Sequence, residues 1–149
     1  MKKTILRVGL VGLILFGLYI GEGLLQGEPP QPAVKADGKF IRVYLGSYCW
    51  NSMLNGRCVD TIGPVGIIQH HQAKPMSISP GTTITLEYGK KPNKGSVGAN
   101  RWSPDNESET VSLKGNSFTA PNEKGTYVYD VSASWEKGSA SHVFVVKVK

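Results

Sequence analysis

The sequence has few cysteines and little charge of either sign. Two cysteines in 149 residues are too few for a dense disulfide scaffold. The net charge of +6 includes Lys2, Lys3 and Arg7 ahead of a hydrophobic run, and the remainder is below what a nucleic-acid-binding domain needs. With 40% hydrophobic and 19% charged residues, the composition is that of a folded chain, and the length predicts one folded domain.

Motifs of the common hydrolases and nucleotide-binding proteins are absent from the sequence. There is no Gly-x-Ser-x-Gly elbow, no His-Glu-x-x-His pair and no phosphate-binding loop. The histidines are His70, His71 and His142, and His142 lies in an apolar stretch where a structural role is expected. The acidic residues within 105–109 are typical of a solvated turn. We therefore predict a protein that is not an enzyme and uses no cofactor or metal.

An uncharged apolar run at residues 8–20 follows the basic amino terminus. As a helix its 13 residues measure about 20 Å, shorter than the roughly 30 Å core of a bilayer, which favours a cleaved signal peptide. However, no small-residue cleavage site follows closely, and a helix over residues 4–25 with Arg7 and Glu22 at the interfaces spans the bilayer. We expect residues 1–21 to be a signal anchor of a single-pass cell-membrane protein with its carboxy-terminal domain extracytoplasmic. Secretion after signal cleavage is the alternative.

Residues 22–38 are rich in Gly, Pro, Gln and Glu. The stretch at 28–32 contains three prolines, which disfavour a helix and a central strand. The composition predicts a semi-extended, proline-rich linker between the hydrophobic segment and a domain at residues 39–149.

The domain at residues 39–149 shows alternating apolar and polar residues between Gly, Pro and Asn clusters. In the clearest run, Ile84, Leu86 and Tyr88 share one face, as a half-buried strand requires. Residues 125–135 and 141–148 alternate in the same way around a turn and predict a hairpin. The shorter predicted strands are at 39–45, 58–62, 76–79, 82–88, 97–102, 109–113 and 117–120. Strands at this spacing predict an all-β domain of two packed antiparallel sheets.

The segment Glu123-Lys124-Gly125-Thr126-Tyr127 resembles the tyrosine corner of immunoglobulin-like sandwiches. The resemblance implies an immunoglobulin-like antiparallel β-sandwich of about seven strands, preceded by the amino-terminal hydrophobic helix. It also implies that the Tyr127 hydroxyl bonds to the preceding backbone. Tyr129 stands where antibody domains have cysteine, so their inter-sheet disulfide is not expected.

The exported part also resembles small membrane-anchored or secreted proteins of Gram-positive bacteria. The similarity lies in Tyr48-Cys49-Trp50 and Cys58-Val59-Asp60. The resemblance implies a location in the cell envelope and does not imply any particular activity.

Cys49 and Cys58 lie nine positions apart on the side of the membrane where thiols are oxidised, with turn-forming Asn and Gly between them. We expect a disulfide. A zinc site with His70 and His71 is the competing interpretation, but adjacent residues of a strand point to opposite faces. A redox couple is disfavoured because it usually needs a closer Cys-x-x-Cys spacing.

A basic loop is the sequence feature most like a binding surface. Its three lysines are followed by Arg101 and Trp102, and together they form the candidate anion-binding site. The cluster consists of Lys90, Lys91, Lys94, Arg101 and Trp102. The alternative is a solvated hairpin loop with Trp102 in the sandwich core.

These features together predict an extracytoplasmic, membrane-tethered, non-catalytic interaction module of the cell envelope. Its expected partner is another envelope protein, bound through strands or loops. We do not expect it to bind nucleic acid. The alternative is a binder of anionic wall polymer or lipid head groups through the basic loop. An accessory or sensor part of a larger hydrolase complex is a third class.

Overall fold

The computed structural model describes residues 27–52 and 55–149. In this part of the chain, segments of largely alternating apolar and polar side chains form eleven strands, and one short helix is also present. The predicted signal anchor at residues 1–21 lies outside the described residues. The elements are β1 (Pro32–Ala36), β2 (Lys39–Ile41), β3 (Tyr44–Asn51), β4 (Gly56–Val59), α1 (Pro64–His70), β5 (Met76–Ile78), β6 (Thr83–Tyr88), β7 (Gly98–Trp102), β8 (Ser108–Thr110), β9 (Ser117–Thr119), β10 (Gly125–Trp135) and β11 (Gly138–Val148).

The strands form two sheets that pack together as a sandwich. The smaller sheet has the order β2-β1-β6-β9, and the larger has the order β4-β3-β11-β10-β7-β8. Neighbouring strands are antiparallel, except that β5 runs parallel to β11 along one part of its length. The prediction of two packed antiparallel sheets is confirmed, although the described part of the chain has more strands than the seven expected.

The core lies between the two sheets and follows the predicted alternation. Ile84 and Leu86 of β6 face the larger sheet, where Tyr129 and Phe144 stack with ring centroids 5.4 Å apart. Phe118 of β9 packs on Tyr129 at 5.0 Å and joins the two layers. Each of these side chains is at most 3% exposed, so each stabilises the fold by about 1.5–3 kcal/mol relative to an exposed position.

Helix α1 covers the outer face of the larger sheet. Pro64 starts the helix, where its missing N–H leaves no hydrogen bond unmade, and Ile67 is the buried contact. Val143 and Val145 point away from the smaller sheet and are nevertheless buried, on the side where α1 packs on β11. The expectation that His70 and His71 lie on a strand is wrong. They end α1, whose seven residues are too few to show helical periodicity.

The predicted linker at 22–38 is wrong over its last seven residues. Strand β1 lies between β2 and β6, with Val34 fully buried. Pro32 is tolerated because it is the first residue of the strand. Asp37 and Gly38, both with positive φ, then form the two-residue turn typical of a tight hairpin.

Candidate functional site

Two tryptophans mark one end of the sandwich. Trp135 ends β10, and its ring meets that of Trp50 edge to face with centroids 5.7 Å apart. Tyr88, the last residue of β6, packs on Trp135 at 5.4 Å. These rings, with Ala133 and Ala140, form a second core cluster that closes this end of the sandwich.

The basic loop at residues 89–97 is fastened to this aromatic cluster. The indole N–H of Trp135 donates to the carbonyl oxygen of Lys90 at 3.0 Å. The backbone N–H of Asn93 donates to the backbone carbonyl of Ser134 at 2.8 Å, and the Ser96 hydroxyl donates to the same carbonyl at 3.2 Å. The lysine side chains of the loop stay exposed. The loop therefore presents its cations from a fixed backbone.

Two further cations lie at the same end. Arg57 is exposed on β4, and Lys137 lies in the β10–β11 turn, where its carbonyl accepts the amide of Asn51 at 2.7 Å. We call the set Arg57, Lys90, Lys91, Lys94 and Lys137 the basic end. Glu28 lines the same cavity as Arg57, and Glu136 is next to Lys137 in sequence.

Arg101 and Trp102 are not part of this cluster. The loop precedes β7, whereas Arg101 and Trp102 end that strand, about 10 and 13 Å beyond its first residue at roughly 3.3 Å per residue. Arg101 pairs with Glu109 at 2.6 Å and lies over the ring of Tyr127. Trp102 is half-buried. The structure therefore does not bring these two residues together with the lysines, because part of β7 separates residues that are close in sequence.

Sequence reasoning missed the aromatic partner of the loop. Trp135 follows Lys90 by 45 positions and reaches it because β7 and β10 are neighbours, with Gly98 opposite Ser132. The alternation in β10 places Trp135 on the core face. That pattern does not reveal which loop the ring supports.

A cavity of about 570 Å³ opens beside the basic end. This volume is within the roughly 300–1,000 Å³ of small-molecule sites. Tyr48 and Trp50, two positions apart on one face of β3, line it together with Asn55, Arg57 and Glu28. The cavity thus offers aromatic surface, amide groups and charges of both signs.

The predicted disulfide between Cys49 and Cys58 is present. The two residues lie directly opposite each other on β3 and β4, and both are exposed. The bond fastens the hairpin that carries Asn55 and Arg57.

The competing interpretation was a zinc site that includes His70 and His71. His71 is stacked on Tyr44, with ring centroids 4.6 Å apart. In residues 27–52 and 55–149, no group of three or more potential metal-ligating side chains occurs.

Replacing both cysteines by serine should lower the free energy of unfolding by about 2–3 kcal/mol, because the disulfide restricts the unfolded chain. Urea unfolding of the full chain measures this. Wild-type protein in a reducing agent is the matched control, since it should unfold at the midpoint of the double variant. Equal midpoints for oxidised wild type and the variant would show that the bond does not stabilise the hairpin.

The titratable groups with shifted pKa values lie in the interior. Burial raises the pKa of Tyr88 to about 12, with the charge of Asp130 adding to it, and burial likewise raises the pKa of Tyr129 to about 12. Burial raises the pKa of Asp130, partly offset by a hydrogen bond from Ser141. Burial lowers the pKa of His142 to about 4, so this 1% exposed side chain is neutral at pH 7.

Comparison with protein-family models, curated proteins and solved structures gave no match to the chain. Within residues 27–52 and 55–149, no helix has the length and apolar character needed to cross a bilayer.

Proposed function

We propose that the chain is an extracytoplasmic, membrane-tethered, non-catalytic interaction module of the cell envelope. The observation that carries the proposal is the disulfide between two exposed cysteines. Exposed disulfides persist in oxidising compartments and are rare in the cytosol, where thiols are kept reduced. The amino-terminal apolar run of the sequence supplies the tether.

The proposal includes an immunoglobulin-like architecture for strands β5 to β11. In one sheet β6 is next to β9, and in the other β8, β7, β10 and β11 are consecutive neighbours. In immunoglobulin domains, strands B and E are neighbours in one sheet, and strands C′, C, F and G are consecutive neighbours in the other. The two strand orders are therefore similar. The Tyr127 hydroxyl donates to the carbonyl of Glu123 at 2.9 Å, as in a tyrosine corner. Such domains commonly present loops and strand edges to other proteins.

The exposed edges of the sheets support a protein partner. Strands β2, β4 and β8 are edge strands with mostly exposed residues. Phe40 on β2 and Ile62 before α1 are 68% and 57% exposed. Unpaired strand edges beside apolar side chains are a usual site for adding another chain.

Binding of an anionic envelope polymer is the second candidate. It is favoured by one observation, the fastening of the lysine loop to Trp135, which holds exposed cations in place. The cations at the same end as the lysine loop are Arg57 and Lys137, whereas the sequence predicted Arg101.

Affinity capture of the tagged full chain from the native host distinguishes the two candidates. After crosslinking, membranes are solubilised with and without digestion of the wall. A crosslinked protein adduct that survives digestion supports the interaction module, and material that disappears on digestion supports polymer binding. The Lys90→Gln, Lys91→Gln, Lys94→Gln variant is the control, because it should weaken polymer retention and leave a protein adduct unchanged. Absence of the chain from the envelope fraction would refute both.

A further inference from the structure

We propose that the basic end rests on the anionic lipid headgroups of the membrane that holds the chain. The domain would then stand on the bilayer with the opposite end of the sandwich directed away from it. This inference rests on the proposed membrane tether and names the surface that the basic end contacts.

The first observation is the place where the chain enters the domain. Pro32 pairs with Tyr88, the residue immediately before the basic loop. Further towards the amino terminus, a methyl group added at Gly27 would lie 3.8 Å from the indole nitrogen of Trp50. The described chain therefore begins at the end of the sandwich that carries the cations.

The second observation is the shortness of the remaining tether. Because β1 belongs to the sheet, the connection to the predicted anchor is much shorter than residues 22–38. Only five residues separate Gly21 from Gly27. Fully extended, this connection spans at most about 20 Å. The basic end is thus the part of the domain that the tether holds nearest to the headgroups.

The third observation is the charge at this end. Five exposed cations lie at this end, with Glu136 next to Lys137 in sequence and Glu28 in the same cavity lining as Arg57. In the described part of the chain, the two ion pairs are Lys35–Glu87 and Arg101–Glu109, and neither includes a cation of the basic end. Each Lys or Arg near an anionic leaflet contributes about 1 kcal/mol of attraction. A tether that raises the local concentration makes such weak attraction sufficient.

The opposite end of the sandwich provides an internal reference. Strand β10 has eleven residues and is roughly 33 Å long at about 3.3 Å per residue. Lys124 immediately precedes β10. Lys149 follows the last residue of β11, which pairs with the first residue of β10. Both are exposed and lie several Debye lengths of about 8 Å from the basic end. When the basic end contacts the bilayer, Lys124 and Lys149 therefore remain accessible to solvent.

Amine acylation of the full chain in lipid nanodiscs, followed by mass spectrometry, tests the proposal. The discs contain phosphatidylcholine alone or phosphatidylcholine with about 30% phosphatidylglycerol as the anionic lipid. In anionic discs we expect acylation of Lys90, Lys91 and Lys94 to slow by about threefold or more relative to neutral discs, and about 0.5 M salt to abolish the difference. Acylation of Lys124 and Lys149 should not change.

Charge reversal supplies matched controls. Lys137 belongs to the basic end and should also be acylated more slowly in anionic discs, and the Lys90→Glu, Lys91→Glu, Lys94→Glu variant should lose this protection. The Lys124→Glu, Lys149→Glu variant should keep it. All five substituted side chains are exposed, so the fold is retained, which circular dichroism verifies.

The possible failures are distinguishable. If the chain enters the discs but the basic-end lysines react equally in both lipids, or all lysines are protected alike, the orientation is wrong and the tether stands. If the chain does not enter the discs, the tether and the orientation are both wrong.

Discussion

Replacing Trp135 by alanine should lower the free energy of unfolding by about 3–5 kcal/mol, the usual cost of removing a buried tryptophan. The side chain is 4% exposed and packs between Trp50 and Tyr88. Its loss leaves a cavity and releases the carbonyl of Lys90. Urea unfolding followed by far-ultraviolet circular dichroism measures the change.

Two controls separate packing from the hydrogen bond. Trp135→Phe keeps a ring but removes the N–H, so it should destabilise the fold less and speed hydrogen exchange in the basic loop. Glu136→Ala, at the exposed next position, should leave stability within about 0.5 kcal/mol of wild type. A loss below about 1 kcal/mol for Trp135→Ala would contradict a closed aromatic cluster at this end.

Acid should destabilise the domain through His142. Burial lowers its pKa in the folded state to about 4 from an ordinary 6.5, so between these values the unfolded chain binds more protons. Stability contributed by the neutral imidazole is therefore complete above pH 6.5 and is lost as the pH falls towards 4. The shift corresponds to about 3 kcal/mol.

The test compares unfolding of wild type and His142→Gln between pH 4 and 7. Asp130 acts with the opposite sign, because its raised pKa favours proton binding by the folded state. The difference between the two proteins cancels this contribution and those of other carboxylates. The wild type should lose stability relative to the variant as the pH falls. Parallel pH profiles would show that the histidine is not buried in neutral form.

Period-two patterns made much of the sandwich predictable. In β6 apolar and polar residues alternate strictly, and in β10 and β11 every second residue is apolar or aromatic over the part that packs against the other sheet. The disulfide was also predictable, since a short spacing with turn residues between the cysteines suits a hairpin. These features depend on local sequence.

Features that depend on distant contacts were not predictable. The prolines around β1 concealed a strand that is held by β2 and β6, although Asp37-Gly38 was a usable turn signal. Helix α1 is stabilised by its packing on the larger sheet and has no periodicity of its own. The basic end joins residues from β4, the β6–β7 loop and the β10–β11 turn. Only the strand order brings these parts together.

We expect the domain to be an oxidised, extracytoplasmic module that remains attached to the membrane. The mass of the natively expressed chain, recovered from the membrane fraction and alkylated without reduction, tests this most directly. We predict the mass of the whole chain less about 2 Da for the disulfide, with no alkyl group added. Two alkylated thiols would contradict the oxidised location, and a loss of about 2–4 kDa from the amino terminus would contradict the attachment.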